Sequence, residues 1–197
     1  MKILCVADEE DKTYWDYYKP EKLKDIDLIL SAGDLKAEYL SFLVTMGHAP
    51  VLYVHGNHDH RYETKPPEGC DCIDDTVTEF RGLRILGLGG CKHFRKGAHQ
   101  YTEKDMRKRI VKLRWKLRKG VDIIVAHAPV EGYGDLQDLT HSGFSCFADL
   151  IDRYHPKYFL HGHIHSSYNH KLQRVYTRDN TTIINVGKTY ILEIPDQ

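Results

Sequence analysis

Short runs rich in Val, Ile and Leu recur along this chain, and five of them end directly in a side chain that can bind a metal ion. Continuous apolar runs of this length predict strands that are buried on both faces, as in sheets covered by helices. The five runs with their endings are ILCVAD, LILSAGD, LYVHGNHD, IIVAH and YFLHGHIH. Ligands of α/β sheets bind outside the carboxyl ends of the strands, so these endings are expected to meet. Each ending alone could be a helix cap or a solvated histidine, but together they favour a site for two metal ions.

The segments between the apolar runs have helical patterns, and this alternation predicts an α/β fold with layers of helices and sheets. The predicted strands are 2–7, 27–30, 50–55, 76–80, 83–89, 121–126, 157–160, 172–178, 181–186 and 189–194, and the predicted helices are 35–46, 102–118 and 143–154. Thr102 is expected to cap the second helix, and Arg81-Gly82 to form a tight turn. The segment 61–75 is expected to be a long irregular loop beside a site.

Charge and cysteine content restrict the classes of partner and the cellular setting. Lys plus Arg and Asp plus Glu number 28 each, so no overall basic charge indicates nucleic acid or an acidic membrane surface. The apolar runs are far shorter than the ~20 residues of a membrane-spanning helix. The five cysteines form no C-x-x-C pair, and the start of the chain is unlike a secretory signal, so reduced thiols and a cytoplasmic protein are expected. The sequence gives no indication of an oligomeric state.

The stretch HGHIH, residues 161–165, places three imidazoles within five residues. Alternate residues of an extended strand face the same side, which would put His161, His163 and His165 in one row unless Gly162 bends the chain. A row of neutral imidazoles is a suitable metal clamp, but isolated histidines are commonly just solvated. The stretch alone leaves both interpretations open.

The motifs taken together resemble those of the calcineurin-like metallophosphoesterases, whose pattern is D-x-H, G-D, G-N-H-D/E, a His after a strand, and G-H-x-H. The matching residues run in the same order: Asp8, Gly33-Asp34, Gly56-Asn57-His58-Asp59, His127 and Gly162-His163-Ile164-His165. The resemblance covers residues 8–165 and implies a four-layer α/β/β/α sandwich, with residues 1–197 as a single domain. It also implies a metal-dependent phosphoesterase.

The resemblance further implies a set of ligands and a mechanism. Asp34 would bridge two divalent ions, the first also bound by Asp8 and His165, the second also bound by Asn57, His127 and His163. The mixed oxygen and nitrogen donors suit Mn first, then Fe, Zn or Ni, with Mg a further possibility. Hydrolysis of a phosphate ester would follow attack by a metal-bound hydroxide. His58 would face the leaving oxygen as proton donor, with Asp59 orienting its ring.

One position departs from the family pattern, because Glu10 stands where D-x-H has its His. Glu10 could bind metal one through oxygen, which would favour Mn or Mg. It could instead accept a hydrogen bond from a bound water. It could also point away, which would leave metal one weakly held. Direct or water-mediated contact of Glu10 with metal is the interpretation preferred from the sequence.

The small chain without an evident capping domain favours phosphodiester substrates, and monoesters remain open. The alternative is a protein of a different class, namely a binding or scaffold protein on the same fold that has lost catalytic power. Glu10, which replaces the His of the family pattern, keeps this alternative open. A nuclease is a third hypothesis, because helix 102–118 carries eight Lys and Arg residues. Acidic residues elsewhere cancel that charge, so a solvated helix face is favoured over a nucleic-acid surface.

A cluster of aromatic residues follows the first motif and has two interpretations. Its members are either packing residues or a wall beside a substrate: Tyr14, Trp15, Tyr17 and Tyr18.

Overall fold

A computed structural model describes residues 1–93, 97–165 and 173–195. The strands in these ranges are β1 (Lys2–Val6), β2 (Leu28–Ser31), β3 (Val51–Tyr53), β4 (Asp71–Cys72), β5 (Val77–Phe80), β6 (Leu83–Leu88), β7 (Cys91–Lys92), β8 (Gln100–Tyr101), β9 (Ile123–Ala126), β10 (Tyr158–His161), β11 (Val175–Arg178), β12 (Thr181–Asn185) and β13 (Thr189–Glu193). The α-helices are α1 (Ala37–Gly47), α2 (Glu103–Lys112), α3 (Arg114–Leu117) and α4 (Ser145–Tyr154), and short 3-10 helices span Pro20–Lys22 and Asp59–Glu63. None of these helices has the length and apolar character needed to cross a bilayer.

Two sheets form the centre of the fold. The first has the order β13-β1-β2-β3-β4, and the second has the order β11-β12-β10-β9-β6-β5. The inner strands of both sheets are parallel, whereas β13, β11 and β5 pair antiparallel with their neighbours. The strands that carry the predicted ligands, β1, β2 and β3 in one sheet and β9 and β10 in the other, are all among the parallel ones.

The buried side chains fall into three layers, as a four-layer sandwich requires. The middle layer joins the two sheets and includes Ile3, Leu30, Ile85, Val125 and Leu160. One outer layer lies between the first sheet and α1, and the other lies between the second sheet and helices α2 and α4. The strands that face a neighbouring layer on both sides are buried along almost their whole length. The α/β/β/α sandwich predicted from the sequence is therefore confirmed.

The element predictions differ from the structure in a few places. The predicted helix 102–118 is divided at Leu113, where α2 ends and α3 begins. The short strands β4, β7 and β8 were not predicted, because two residues leave no periodic pattern to detect. The segment 61–75, expected to be irregular, contains the end of a 3-10 helix and β4. Leu172, the first residue of the predicted strand 172–178, lies outside the described ranges.

Helix α4 obtains its N-terminal cap from a different helix. Its own N-cap residue, Phe144, has no side chain that can accept a hydrogen bond. Instead the carboxylate of Glu103, at the start of α2, accepts hydrogen bonds from the backbone N–H of Ser145 (3.2 Å) and of Cys146 (2.7 Å), and from the Ser145 hydroxyl (2.9 Å). Burial alone would raise the pKa of Glu103, but these hydrogen bonds outweigh it, and the pKa lies below its usual value.

Replacing Glu103 with Ala should lower the free energy of unfolding by about 1–3 kcal/mol at neutral pH, because three donors lose a charged acceptor. A group with a lowered folded-state pKa stabilises above its unfolded pKa and loses that effect as pH falls. The difference between wild type and Glu103→Ala should therefore shrink below about pH 4. Denaturant unfolding at neutral pH and below about pH 4 measures this difference in unfolding free energy. Exposed Lys104→Ala is the control. A difference of equal size at both pH values would contradict the charge-based cap.

Candidate metal centre

The carboxyl ends of five parallel strands meet at one rim of the sandwich. The residues after β1 and β2 are linked by a backbone hydrogen bond from Asp8 to Gly33 (3.1 Å). The two sheets are joined at the same place, because both carboxylate oxygens of Asp8 accept from the backbone N–H of His163 at 2.9 and 3.0 Å. Segments from opposite sheets thus contact each other where the sequence predicts a shared site.

The innermost part of the rim is a cluster of Asp34, His127 and His163, whose ligand atoms all lie within 4.8 Å of one another. Nε2 of the fully buried His127 lies 3.3 Å from Oδ2 of Asp34 and 3.0 Å from Oδ1 of Asn57. Nδ1 of His127 is 2.7 Å from the carbonyl oxygen of Ala32, so it carries the proton and donates. This bond fixes the tautomer that directs Nε2 into the cluster. The four residues expected around metal two are therefore brought together.

The pKa values in this cluster show where positive charge is needed. Burial raises the pKa of Asp8 to about 6, with a further contribution from the charge of Asp34, although His127 opposes the shift. Burial also acts on Asp34, but the attraction of His127 and the hydrogen bond from the His58 N–H prevail, and its pKa falls to about 2. Burial lowers the pKa of His163 to about 3, so its ring is neutral. Neighbouring carboxylates, a carboxamide oxygen and neutral imidazole together fit divalent cations of intermediate softness.

Three of the expected ligands have a backbone conformation that L-residues rarely adopt. The φ angles of Asp8, Asp34 and His163 are 63°, 58° and 68°. Left-handed conformations at residues other than glycine cost free energy and concentrate at functional sites. Here each one turns the chain sharply after a strand, so that the side chain points across the rim.

Glycines make room for Asp34 in the cluster. A Cβ atom on Gly33 would lie only 2.7 Å from the Cα of Gly56. A Cβ atom on Gly56 would lie 2.6 Å from the backbone nitrogen of Asp34 and would collide with its Oδ1. The loops after β2 and β3 can therefore approach each other only because both positions lack side chains.

Asp59 makes contacts that link two loops of the rim. Its Oδ2 accepts hydrogen bonds from the backbone N–H of Gly56 (2.7 Å) and of Asp34 (2.8 Å), and this fastens the loop after β3 to the loop after β2. Both contacts are made by Oδ2, so the orientation of the His58 ring by Asp59 stays a prediction. His58 itself donates its backbone N–H to Oδ1 of Asp34 (2.7 Å) and is exposed.

Glu10 contacts the residue at the start of α1. Its Oε1 accepts from the backbone N–H of Lys36, the N-cap residue of α1, at 3.1 Å, and its Oε2 is 3.5 Å from the Lys36 ammonium. These contacts to Lys36 favour the third interpretation, in which Glu10 points away from metal one, while Glu10 lines the same cavity as Asp34 and His58, and its relation to metal stays a prediction. The adjacent Glu9 instead reaches His165, with 3.4 Å between Oε1 and Nδ1. The consecutive acids could have suggested Glu9, but only the turn at Asp8 decides which of them faces the rim.

His161 does not join the row of imidazoles that strict alternation predicted. Strand β10 ends at this residue, which is fully buried, and the chain then turns at Gly162 and His163. Burial lowers the pKa of His161 to about 4. The bend at Gly162, left open by the sequence, is what separates His161 from the cluster.

A cavity of about 710 Å³ opens beside the cluster. Asp34, His58 and Asp59 form its wall on the side of the cluster. The rest of the wall mixes apolar, cationic and acidic side chains, among them Leu35, Tyr62, Lys36, Arg61, Lys65, Glu10 and Glu38. The aromatic residues near position 15 do not line this wall. Trp15 stacks on Tyr39 of α1, with ring centroids 5.2 Å apart, which is a packing contact, and the Lys36 ammonium lies 5.9 Å from its ring centroid.

Comparison with known proteins identifies a family to which this chain is similar in sequence and fold. A family model described as calcineurin-like phosphoesterase matches residues 3–167. Two curated proteins of Caenorhabditis elegans are similar over 95% of this chain: UPF0046 protein C25E10.12, at 24% identity over 75% of its own length, and UPF0046 protein K07C11.7, at 23% identity over 70%. The crystal structure of TT1561 of Thermus thermophilus has the same fold, with a TM-score of 0.59 and 18% identity over 95% of this chain and 89% of that chain.

Replacing Gly56 with Ala should weaken the binding of Mn²⁺ about 10- to 100-fold, because the added methyl group displaces Asp34. Metal analysis after equilibrium dialysis measures this. Gly47→Ala is the matched control: it lies at the end of α1, and its added Cβ meets neighbours at 3.5 Å or more. Equal metal binding by both variants would show that the close approach of the two loops is not required.

Replacing Glu10 with Ala should leave the metal content unchanged and lower the free energy of unfolding by about 1 kcal/mol, because one hydrogen bond at the start of α1 is lost. Metal analysis and denaturant unfolding of the same preparation test both parts. Loss of one metal equivalent would restore Glu10 as a ligand. Asp8→Ala, which should lose metal, shows that the assay can detect such a loss.

Proposed function

This chain belongs to the calcineurin-like phosphoesterase family, and we propose that it hydrolyses phosphodiesters with two divalent metal ions at the centre described above. The observation that carries the proposal is Asp34, an ionised carboxylate whose side chain is only 11% exposed. Its Oδ2 faces His127, and the carboxylate of Asp8 is near enough to act on its charge. A carboxylate in such a position needs compensating positive charge.

The proposed ligands form two sets that share Asp34. Asp8 and His165 complete one set, and Asn57, His127 and His163 complete the other. This donor set favours Mn²⁺, with Fe, Zn and Ni next, and the position of Glu10 removes one reason to favour Mg²⁺. When bound, the two cations would neutralise phosphoryl charge and lower the pKa of a water molecule.

The residues of the chain have separate tasks in this proposal. The hydrogen bond to Ala32 keeps Nε2 of His127 directed at the cluster, and Asp59 holds the two ligand loops together through their backbone. The backbone N–H of His58 is used by Asp34, which leaves the imidazole on the wall of the cavity. There it is placed to give a proton to the departing oxygen of a substrate.

The cavity supports an ester with a sizeable organic group. Its volume of about 710 Å³ falls within the usual range of small-molecule sites and far exceeds the needs of phosphate alone. Arg61 offers positive charge at some distance from the cluster, and Leu35 and Tyr62 offer apolar surface. The ammonium groups of Lys36 and Lys65 are paired on this wall with Glu10 (3.5 Å) and Glu38 (2.6 Å). Such a wall suits the second substituent of a diester.

Two alternatives make different use of the same features. The position of Glu10 leaves metal one with Asp8, Asp34 and His165 from the expected set, which keeps a catalytically weakened binding protein as the second candidate. A nuclease is less favoured, because several cations of α2 are paired with acids: Arg107 with Asp149 (2.7 Å), Arg109 with Asp75 (2.8 Å) and Lys108 with Asp105 (3.5 Å).

The role of His58 is tested by comparing diesters that differ in leaving group. With Mn²⁺ present, His58→Ala should lower kcat about 10²- to 10⁴-fold for an alkyl leaving group, which needs a proton. It should lower kcat far less for bis(p-nitrophenyl) phosphate, because nitrophenolate leaves without one. Steady-state assays on both substrates, with p-nitrophenyl phosphate as the monoester, measure this difference.

His60→Ala is the matched control, because His60 is an exposed neighbour on the same cavity wall. Equal losses on both leaving groups would remove the proton-donor role of His58. Turnover of the monoester alone would overturn the diester preference. No turnover with any of the metals named, in a protein that still binds Mn²⁺, would favour the binding protein.

A further inference from the structure

A second group of metal-binding side chains lies on the other side of the loop after β3. His55 follows β3, Asp74 follows β4, and His99 precedes β8. The ligand atoms of these three residues lie within 4.8 Å of one another, and none of the three belongs to the centre described above. A fourth donor is close, because Sγ of Cys72 lies 3.7 Å from Nδ1 of His55.

The separations between these donors are near those of a tetrahedral zinc site. Typical zinc–sulfur and zinc–nitrogen bonds place a thiolate and an imidazole nitrogen about 3.5 Å apart. The distance from Cys72 to His55 is close to that value. Nδ1 of His55 and Oδ2 of Asp74 are now 2.7 Å apart, a direct hydrogen bond, and they would separate to about 3.3 Å around an ion. For the pair of His55 and Asp74, the required adjustment is a fraction of an ångström.

His99 has an unused donor atom at this place. Its Nε2 is enclosed and, within the described part of the chain, has no hydrogen-bond partner. Its ring stacks on His55 with centroids 4.3 Å apart and 8° between the planes. An ion lies in the plane of each imidazole that binds it, so one ring must rotate about its Cβ–Cγ bond on binding. An enclosed, unpaired ring nitrogen is costly in a folded protein, and a cation would satisfy it.

Asp74 is already oriented by the backbone. Its Oδ1 accepts from the N–H of Gly89 at 2.7 Å, which holds Oδ2 toward His55. Hydrogen bonds of this kind fix the ligands of metal sites. On binding, the carboxylate of Asp74 and the thiolate formed from Cys72 would supply two negative charges, which match a divalent cation.

We propose that His55, Cys72, Asp74 and His99 bind one Zn²⁺-like cation, separate from the phosphoesterase centre. The ion links His55, which precedes the Gly56–Asp59 loop, to β4 and to the segment before β8. Its effect is structural, because it holds from behind the loop that supplies Asn57 and His58 to the centre. The site does not depend on what the phosphoesterase centre hydrolyses.

Cobalt(II) is a suitable probe, because a tetrahedral Co²⁺ site with a thiolate has intense visible bands and a near-ultraviolet charge-transfer band. The experiment uses the full chain with Asp34→Asn, which disables the first centre. It should bind one Co²⁺ with both features. Adding Cys72→Ser should abolish the charge-transfer band, and adding His99→Asn, which tolerates the left-handed φ of 54°, should weaken binding about 10- to 100-fold.

Two matched controls accompany these variants. Cys70→Ser removes the neighbouring thiol, and His155→Asn removes an exposed imidazole that also has a positive φ, 47°. Both should leave the cobalt spectrum unchanged. Absence of the tetrahedral spectrum in the Asp34→Asn protein would overturn the proposal. A charge-transfer band that persists in Cys72→Ser would show that Cys72 is not the thiolate ligand.

Alkylation of the unmutated chain gives an independent test that needs no variant to fold. Zn²⁺ should slow the reaction of iodoacetamide with Cys72 by about tenfold or more, while the rate at Cys70 stays the same. Peptide mass spectrometry follows both residues in one sample. Equal rates at Cys72 with and without Zn²⁺ would contradict the proposed site, whatever the outcome of the phosphoesterase assays.

Discussion

The position of Asp34, a carboxylate with only 11% of its side chain exposed, is the constraint on which the rim of this sandwich depends. A carboxylate removed from water must be compensated, and here the compensation comes from the N–H of His58 and the imidazole of His127. These contacts are possible only if the loops after β2 and β3 approach closely, which Gly33 and Gly56 permit. Asp59 then holds the two loops together through their backbone. The G-D and G-N-H-D motifs are therefore one structural unit, although α1 and β3 separate them in the sequence.

Electrostatics at the rim explain why cations belong there. His127 is fully buried, and burial would lower its pKa, yet the attraction of Asp34 prevails and raises the pKa to about 9. The carboxylates of Asp34 and Asp8 thus favour positive charge at the position of His127. The neutral His163 beside it is ready to bind. A metal ion that binds His127 would therefore displace a proton from it, as metal binding to histidine generally requires.

The layers and the strand ends could be predicted because they depend on long patterns. Runs of Val, Ile and Leu indicated strands buried on both faces, and their shared endings placed Asp34, His127 and His163 at one rim. The directions of single side chains could not be predicted in the same way. Glu10 lies two residues after Asp8, and His161 lies two residues before His163, and at both Asp8 and His163 the backbone takes a left-handed φ and the chain turns sharply. Period-two alternation no longer applies there, and hydrogen bonds such as that of Lys36 to Glu10 decide the outcome.

The loop that follows β3 links the two groups of metal-binding residues. His55 turns toward Asp74 and His99, whereas Asn57 two residues later contacts His127. The chain thus presents donors to both sides within three residues, and Gly56 between them lies against Asp34. Any force that orders His55 also limits the backbone freedom of Asn57, because few rotatable bonds separate them. Contacts behind the loop, such as the hydrogen bond of His55 to Asp74, therefore lie two residues from the contact of Asn57 inside the cluster.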